Sequence, residues 1–245
     1  MIILDGQCVK AAPALLHQLT PGVRQLDGVF ETMLATGGGV RHFNDHFSRL
    51  CRGLRLSGIH APWTKDHLAR DLARLIPGPQ PHRVRVMVWR ERGRVRFAIV
   101  AVPYVPPQRD VYEKGVKVLV LPVSRKFKKE DGTFKTLDYG LYRQAGETAR
   151  RQGCFEALLA DKNGRIIDGS RTSLMVLTGE GLIVPCAGFG TFDGLTRRRI
   201  MGLARKAGFR ILRRHIDAGS LAGAQGVWLL NSLIGAVCIT EIKKD

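Results

Sequence analysis

Apolar positions recur along the chain in two rhythms, and the switch between them marks out the elements. Strand-like stretches open it at 2–9, 28–35 and 40–43, the last two joined by the turn-forming Gly37-Gly38-Gly39 as a hairpin. The rhythm then turns helical in Phe47, Leu50 and Leu54, and again in Leu68, Leu72, Leu75 and Ile76, with Thr64 placed to cap the second helix. Two further strands, 83–90 and 94–102, fold back on each other across Glu91-Arg92-Gly93. The run Pro103-Tyr104-Val105-Pro106-Pro107-Gln108 removes backbone donors and interrupts regular structure. The expectation is a small α+β domain over 1–104, a linker over 105–111 and a larger domain over 112–245.

The second half starts with an apolar strand at 116–123, passes a basic loop containing Lys126-Phe127-Lys128-Lys129, and enters a helix in which Leu141, Ala145 and Ala149 repeat at intervals of four. Strands 156–160 and 165–168 flank the tight-turn signal Asn163-Gly164, and 173–178 and 182–185 pair about Gly179-Glu180-Gly181. A helix carrying Ile200, Leu203, Ala204 and Ala207 follows, then strands near 210–216 and 227–230. The whole reads as an α/β chain of α+β character in two domains.

Composition narrows the class. With 245 residues, 44% hydrophobic and 24% charged, the chain can bury a substantial core. It shows neither an apolar run of membrane length nor a signal-peptide pattern, so a cytoplasmic location without membrane attachment is expected. The five cysteines are widely spaced and fit neither a zinc site nor a redox motif, so no metal is expected. The 39 basic against 21 acidic residues give a formal charge of +18, which suits nucleic acid, membrane surfaces or anionic small ligands alike. Arginine is scattered rather than gathered in a tail, and no nucleic-acid reader motif is visible, which disfavours a basic nucleic-acid-binding protein.

Three features could carry chemistry. Lys135, in Thr133-Phe134-Lys135-Thr136-Leu137-Asp138-Tyr139, lies between a strand and a helix and could project into a cleft, although a lysine beside a basic loop is commonly a solvated cation. Asp168, in Ile167-Asp168-Gly169-Ser170, could hold a pyridine nitrogen protonated, and is equally an ordinary turn acid. Gly194-Leu195-Thr196-Arg197 opens a helix whose free N–H groups favour phosphate, and is equally a plain helix cap.

Taken together with Gly28-Val29-Phe30-Glu31-Thr32, His46-Phe47-Ser48-Arg49-Leu50, Gly153-Cys154-Phe155-Glu156-Ala157-Leu158-Leu159 and Asn231-Ser232-Leu233, these segments resemble, in order and spacing over nearly the whole chain, the fold type IV enzymes dependent on pyridoxal 5'-phosphate (PLP). That family contains branched-chain and D-amino-acid aminotransferases and 4-amino-4-deoxychorismate lyase. The resemblance implies that Lys135 links covalently to the cofactor and later moves the α-proton. It implies that Arg49, Ser232, Thr196 and the Leu195 and Thr196 amides bind the phosphate, that Tyr139 sits by the ring hydroxyl, and that Asp168 meets the pyridine nitrogen. Asp168 stands where the family normally has glutamate, Ser173 where it usually has asparagine, and Asp138 replaces another asparagine. Phe30, Arg85 and Arg90 are candidates to meet a small anionic, amino-acid-like substrate, the arginines being equally readable as solvated strand cations. His42 and His46 are read as structural.

Asn231-Ser232-Leu233-Ile234-Gly235 resembles the lyase form of the last phosphate motif. The resemblance therefore implies first a lyase producing 4-aminobenzoate and pyruvate, which would feed folate synthesis, and second a class IV amino-acid aminotransferase. A catalytically impaired relative is a further alternative, and a homodimer is the expected assembly.

Overall fold

The computed structural model describes residues 1–245 apart from 25, 38, 77, 124–131, 133, 187–190 and 245. The basic stretch 126–129, Gly38 of the glycine turn and Thr133 lie outside the described residues. The chain forms two compact units, one of Met1–Pro106 with Phe134–Gly140 and the other of Pro107–Thr133 with Leu141–Asp245.

The first unit runs β1 (Ile2–Leu4), β2 (Gln7–Val9), α1 (Pro13–Gln18), β3 (Asp27–Thr36), β4 (Gly39–Val40), α2 (Phe43–Leu56), α3 (Lys65–Leu75), β5 (His82–Glu91) and β6 (Arg94–Pro103). Among the described residues its strands form one six-stranded sheet in the order β2-β1-β6-β5-β3-β4. The expected strand at 40–43 is shorter than read. His42 adopts a left-handed conformation, φ 57° and ψ 35°, which turns the chain out of β4 and into α2 at Phe43. Thr64 caps α3 by accepting from the His67 amide.

Strand alternation gives this sheet two different faces. Val29, Met33, Val84, Val86 and Val88 pack under α2 and α3 with Leu50, Leu54, Leu68 and Leu72. Phe30, Met87, Trp89 and Val100 pack on the other side with Leu19, Leu137 and Tyr139. Register sets Phe30 opposite Met87 and Thr32 opposite Arg85, so Arg85 shares the face of Phe30.

In the second unit, α4 (Arg109–Lys114) leads into β7 (Val116–Pro122), and α5 (Gly140–Arg151) into β8 (Glu156–Ala160) and β9 (Ile166–Gly169). Then come β10 (Ser173–Thr178), β11 (Gly181–Pro185), α6 (Leu195–Lys206), β12 (Ile211–Arg214), α7 (Ala218–Ala222), β13 (Gly226–Asn231) and β14 (Gly235–Lys244). Among the described residues the strands form an eight-stranded mixed sheet ordered β12-β11-β10-β13-β14-β7-β8-β9. β7 runs parallel to both β8 and β14, so its neighbours come from distant parts of the chain. All five residues of β8 are buried, as in a strand covered on both faces. Leu203, expected on the buried stripe of its helix, is 65% exposed, because α6 turns Leu195, Met201 and Ala204 inward instead.

The segment carrying Lys135 lies with the first unit. Phe30 N–H donates to the Lys135 carbonyl (2.9 Å) and Leu137 N–H to the Gly28 carbonyl (2.9 Å), forming an isolated antiparallel bridge between Val29 of β3 and Thr136. On the β5 side of β3, Gly28 is pressed so closely that a Cβ there would stand 2.2 Å from the Val88 carbonyl oxygen and 2.7 Å from Trp89 Cα. Gly28→Ala is therefore expected to cost roughly 1–3 kcal/mol in a thermal melt. It is also expected to speed hydrogen exchange at the Leu137 amide; an unchanged melt and unchanged exchange would show that β3 yields without strain.

Candidate active site

In the first unit, the bridge to β3 brings Lys135 over two aromatic rings. Its Nζ lies 5.3 Å from the Phe30 ring centroid and 5.9 Å from that of Tyr139. Those rings pack edge to face, 5.2 Å apart at 83°, which fixes both and defines a wall beside the amine. Arg85 joins this face. Burial, followed by the nearby Arg83 charge, lowers its pKa to about 10 while Tyr139 opposes the shift, so the guanidinium stays charged at neutral pH. Its Nε is buried and has no hydrogen-bond partner among the described residues.

Arg90 is separated from Arg85 by the same alternation that unites Arg85 with Phe30. An odd number of residues lies between two strand positions that share a face, and 85 and 90 differ in parity. Arg90 donates to Asp27 (2.9 Å) and to the carbonyls of Ser57 (3.0 Å) and Gly58 (2.5 Å), which ties it to the end of α2.

Arg49 lies on α2 and is only 5% exposed. Its Nε donates to Glu31 Oε1 (2.6 Å) and its Nη2 to Glu31 Oε2 (2.9 Å), while His46 Nδ1 is 3.0 Å from the same Oε2. Burial alone would push the Glu31 carboxyl up. The charge and hydrogen bonds of Arg49, helped by His46, outweigh it and hold the group at about 2.

In the second unit, Asp168 sits at the end of β9, 3% exposed, and its Oδ2 accepts from Phe192 N–H (3.0 Å). The turn after it is built around Glu156, fully buried on β8. Its carboxylate takes Ser170 Oγ, Thr172 Oγ1 (3.1 Å) and the Ala157 (2.9 Å) and Arg171 (3.2 Å) amides. Ser173 begins β10, opposite Leu230 of β13 and therefore near the turn that carries Ser232. In that turn Asn231 Oδ1 accepts from Leu233 (2.8 Å) and Ile234 (2.9 Å). Gly194, at the N-cap of α6, lies so close to Ser173 that a Cβ on it would stand 2.6 Å from Ser173 Oγ. The candidates Asp168, Ser173, Leu195, Thr196 and Ser232 are thus gathered on neighbouring strand and helix ends.

Arg197 adds a cation that sequence reasoning did not single out. It is 2% exposed, its Nη2 donates to the Phe192 carbonyl (2.6 Å), and its Nε and Nη1 have no hydrogen-bond partner among the described residues. Glu31, Glu156 and Asn231 were likewise present in the motifs without a role, and His46 was read as structural. The signal that could have found them is an acid or amide beside short donors in a segment otherwise apolar, which buried polar groups require.

Each unit by itself carries features that PLP calls on. In the second unit, a helix start with no side chain on its N-cap glycine and a buried Arg197 guanidinium with donors unpartnered among the described residues suit a phosphate, and Asp168 is a buried carboxylate able to keep a ring nitrogen protonated; in the first unit, Lys135 offers an amine beside an aromatic wall. Among the described residues no group of three or more His, Cys, Asp and Glu could hold a metal, and no helix is long and apolar enough to cross a membrane.

The fold and these segments define a class of enzyme. The amino-transferase class IV family model matches residues 28–242, and the chain belongs to that family, whose enzymes are PLP-dependent lyases and aminotransferases. A bifunctional aminodeoxychorismate lyase / D-amino acid transaminase of Mycobacterium tuberculosis is 25% identical over 257 residues, covering 95% of this chain and 88% of its own. The aminodeoxychorismate lyase of Bacillus subtilis is 23% identical over 259 residues, with 100% and 87% covered. The PLP-bound form of a hypothetical aminotransferase from M. tuberculosis shares the fold with a TM-score of 0.81, at 23% identity, over 99% of this chain and 90% of its own.

The depressed Glu31 pKa has a definite sign in stability. A carboxyl that titrates near 2 folded and near 4.5 unfolded contributes stability above pH 4.5, and loses it as pH falls from 4.5 toward 2. Glu31→Gln is expected to destabilise the protein by a few kcal/mol at neutral pH and by progressively less below pH 4.5, read from melting curves across that window. A gap that stays constant with pH would show that Glu31 is not the ionised partner of Arg49.

Proposed function

We propose that the protein is a PLP-dependent 4-amino-4-deoxychorismate lyase, forming 4-aminobenzoate and pyruvate. The observation that carries this reading is the charged, incompletely hydrogen-bonded Arg85 on the same sheet face as the Lys135 amine, Phe30 and Tyr139. A substrate whose amine approaches Lys135 could place a carboxylate on that guanidinium while its ring rests against the aromatic wall.

PLP, when bound, would supply an electron sink for the bond electrons released at the substrate carbon that bears the amine. Lys135 would bind it, exchange places with the substrate amine, and take the proton from that carbon. Asp168 would keep a proton on the ring nitrogen, its position fixed by the Phe192 amide. Thr196, Ser232 and the Leu195 and Thr196 amides would hold the phosphate, with Ser173 packed beneath Gly194 and Arg49 adding guanidinium N–H donors. Breaking of the C–O bond on the neighbouring ring carbon would expel enolpyruvate, which takes up a proton to give pyruvate, and return of Lys135 would free the aromatic amine as 4-aminobenzoate.

Two features support the lyase over an amino-acid aminotransferase: the Asn231-Ser232-Leu233-Ile234-Gly235 turn and the lyase names of the M. tuberculosis and B. subtilis relatives. The aminotransferase is the second reading, favoured by the transaminase half of the M. tuberculosis name. A cytoplasmic homodimer belongs to the same proposal by resemblance to the family.

Purified protein with added PLP is expected to show a visible or near-ultraviolet band that Lys135→Ala lacks, and to release pyruvate from aminodeoxychorismate. Keto-acid formation from D- or branched-chain amino acids without that release would favour the aminotransferase, and no lysine-dependent band would reject both. Arg85→Leu is expected to raise KM about tenfold or more with kcat changed far less, as removal of a ground-state carboxylate contact does. Equal loss in kcat and kcat/KM would place Arg85 in the chemical step instead.

A further inference from the structure

We propose that Glu31, backed by His46, is a positioning residue that fixes the guanidinium of Arg49 in the one orientation able to meet a phosphate. This rests on the reading that the chain binds PLP and that Arg49 faces the phosphate group. Glu31, His46 and Arg49 are 1%, 1% and 5% exposed, and they join β3 to α2 within an otherwise apolar layer. Stability gives a poor reason for such a cluster, since well-packed apolar residues in place of a buried ion pair are often as stable or more so.

Geometry gives a better one. The carboxylate grips the side of the guanidinium through Nε and Nη2, which fixes rotation about the end of the side chain. His46 Nδ1 meets the same Oε2 that accepts from Nη2, a second tie that resists a swing of the acid to a single-contact arrangement. The helix is itself held down, because Gly53, one turn beyond Arg49, lies so close to Phe134 that a Cβ would stand 2.9 Å from it. Phe134 is the neighbour of Lys135, so the two ends of the proposed cofactor site in this unit are tied to the same stretch of β3.

The cluster also sets a charge constraint. Glu31 is ionised at neutral pH and cancels the charge of Arg49, so Arg49 can serve an anion through directed N–H groups more than through net charge. Positioning and electrostatics therefore predict opposite signs. Removing the Glu31 charge makes the site more positive, which on electrostatics alone tightens phosphate binding. On the positioning role it weakens binding, because the guanidinium is released.

The test compares PLP with pyridoxal, which carries the same aldehyde and ring without phosphate, by spectral titration of the full-length apoprotein. In wild type, PLP should bind more tightly than pyridoxal. In Glu31→Gln that preference should fall about tenfold, the value of one well-placed charge-assisted contact, while pyridoxal affinity holds. In an Arg49→Ala background the same Glu31 substitution should change the preference by less than about twofold, since the two act as one unit. An unchanged or increased preference in Glu31→Gln, or an undiminished effect without Arg49, overturns the proposal. Failure of wild type to bind PLP at all would instead sink the cofactor reading. Should Glu31→Gln not melt cooperatively, His46→Leu decides: it leaves the ion pair but frees the carboxylate, and the preference should fall about threefold. No fall there also overturns the proposal.

Discussion

Two backbone hydrogen bonds, from Phe30 to Lys135 and from Leu137 to Gly28, hold the lysine segment against β3 as an antiparallel bridge, and the placing of the lysine depends on them. Because side chains alternate, this pairing sends Lys135 toward Phe30 and Tyr139 and sends Phe134 to the other face, against Gly53 of α2. The same alternation along β5 puts Arg85 with the lysine and Arg90 away from it. Glycine at 28 and 53 is required by closeness, since a Cβ at either position would collide with a neighbour.

Burial sorts the many cations of this chain. Arg24, Arg90 and Arg214 are at least two-fifths exposed and pair with Glu91, Asp27 and Glu180, contacts that water and salt screen. Arg49, Arg85 and Arg197 differ because water reaches them poorly, so each needs an acid, an aromatic neighbour or an anion to balance it. Arg49 has Glu31, whereas Arg85 and Arg197 keep buried donors without protein partners among the described residues. The high charge of the sequence is thus mostly a surface property, and the three cations of chemical interest are set apart by position.

The second unit achieves order at its strand ends through buried polar groups. Glu156 collects two hydroxyls and two amides and so shapes the turn behind Asp168, while Asn231 closes the turn that carries Ser232. Networks of this kind are stable only when every member is satisfied, which makes the loops they hold rigid. The shorter acid at 168 is accompanied by an amide from Phe192, whose carbonyl in turn accepts from Arg197. The backbone of a single residue therefore links the acid to a buried cation.

Much of the fold was legible from the sequence because it depends on local rules. Strand-like runs bounded by turn signals located β3, β5, β6 and β8, helical spacing located α2 and α3, and the Thr64 cap follows from side-chain chemistry at a helix start. The motif order was enough to indicate the family. What the sequence alone left open is whatever depends on long-range pairing: β14 lying parallel to β7, the lysine segment joining the first unit, the opposite faces of Arg85 and Arg90, and Leu203 turned outward. Glu31 shows the limit most clearly. In sequence it is an acid within an apolar strand, and only the packing of α2 on β3, which removes water and brings Arg49 and His46 to its carboxylate, gives it a partner and a reason to be there.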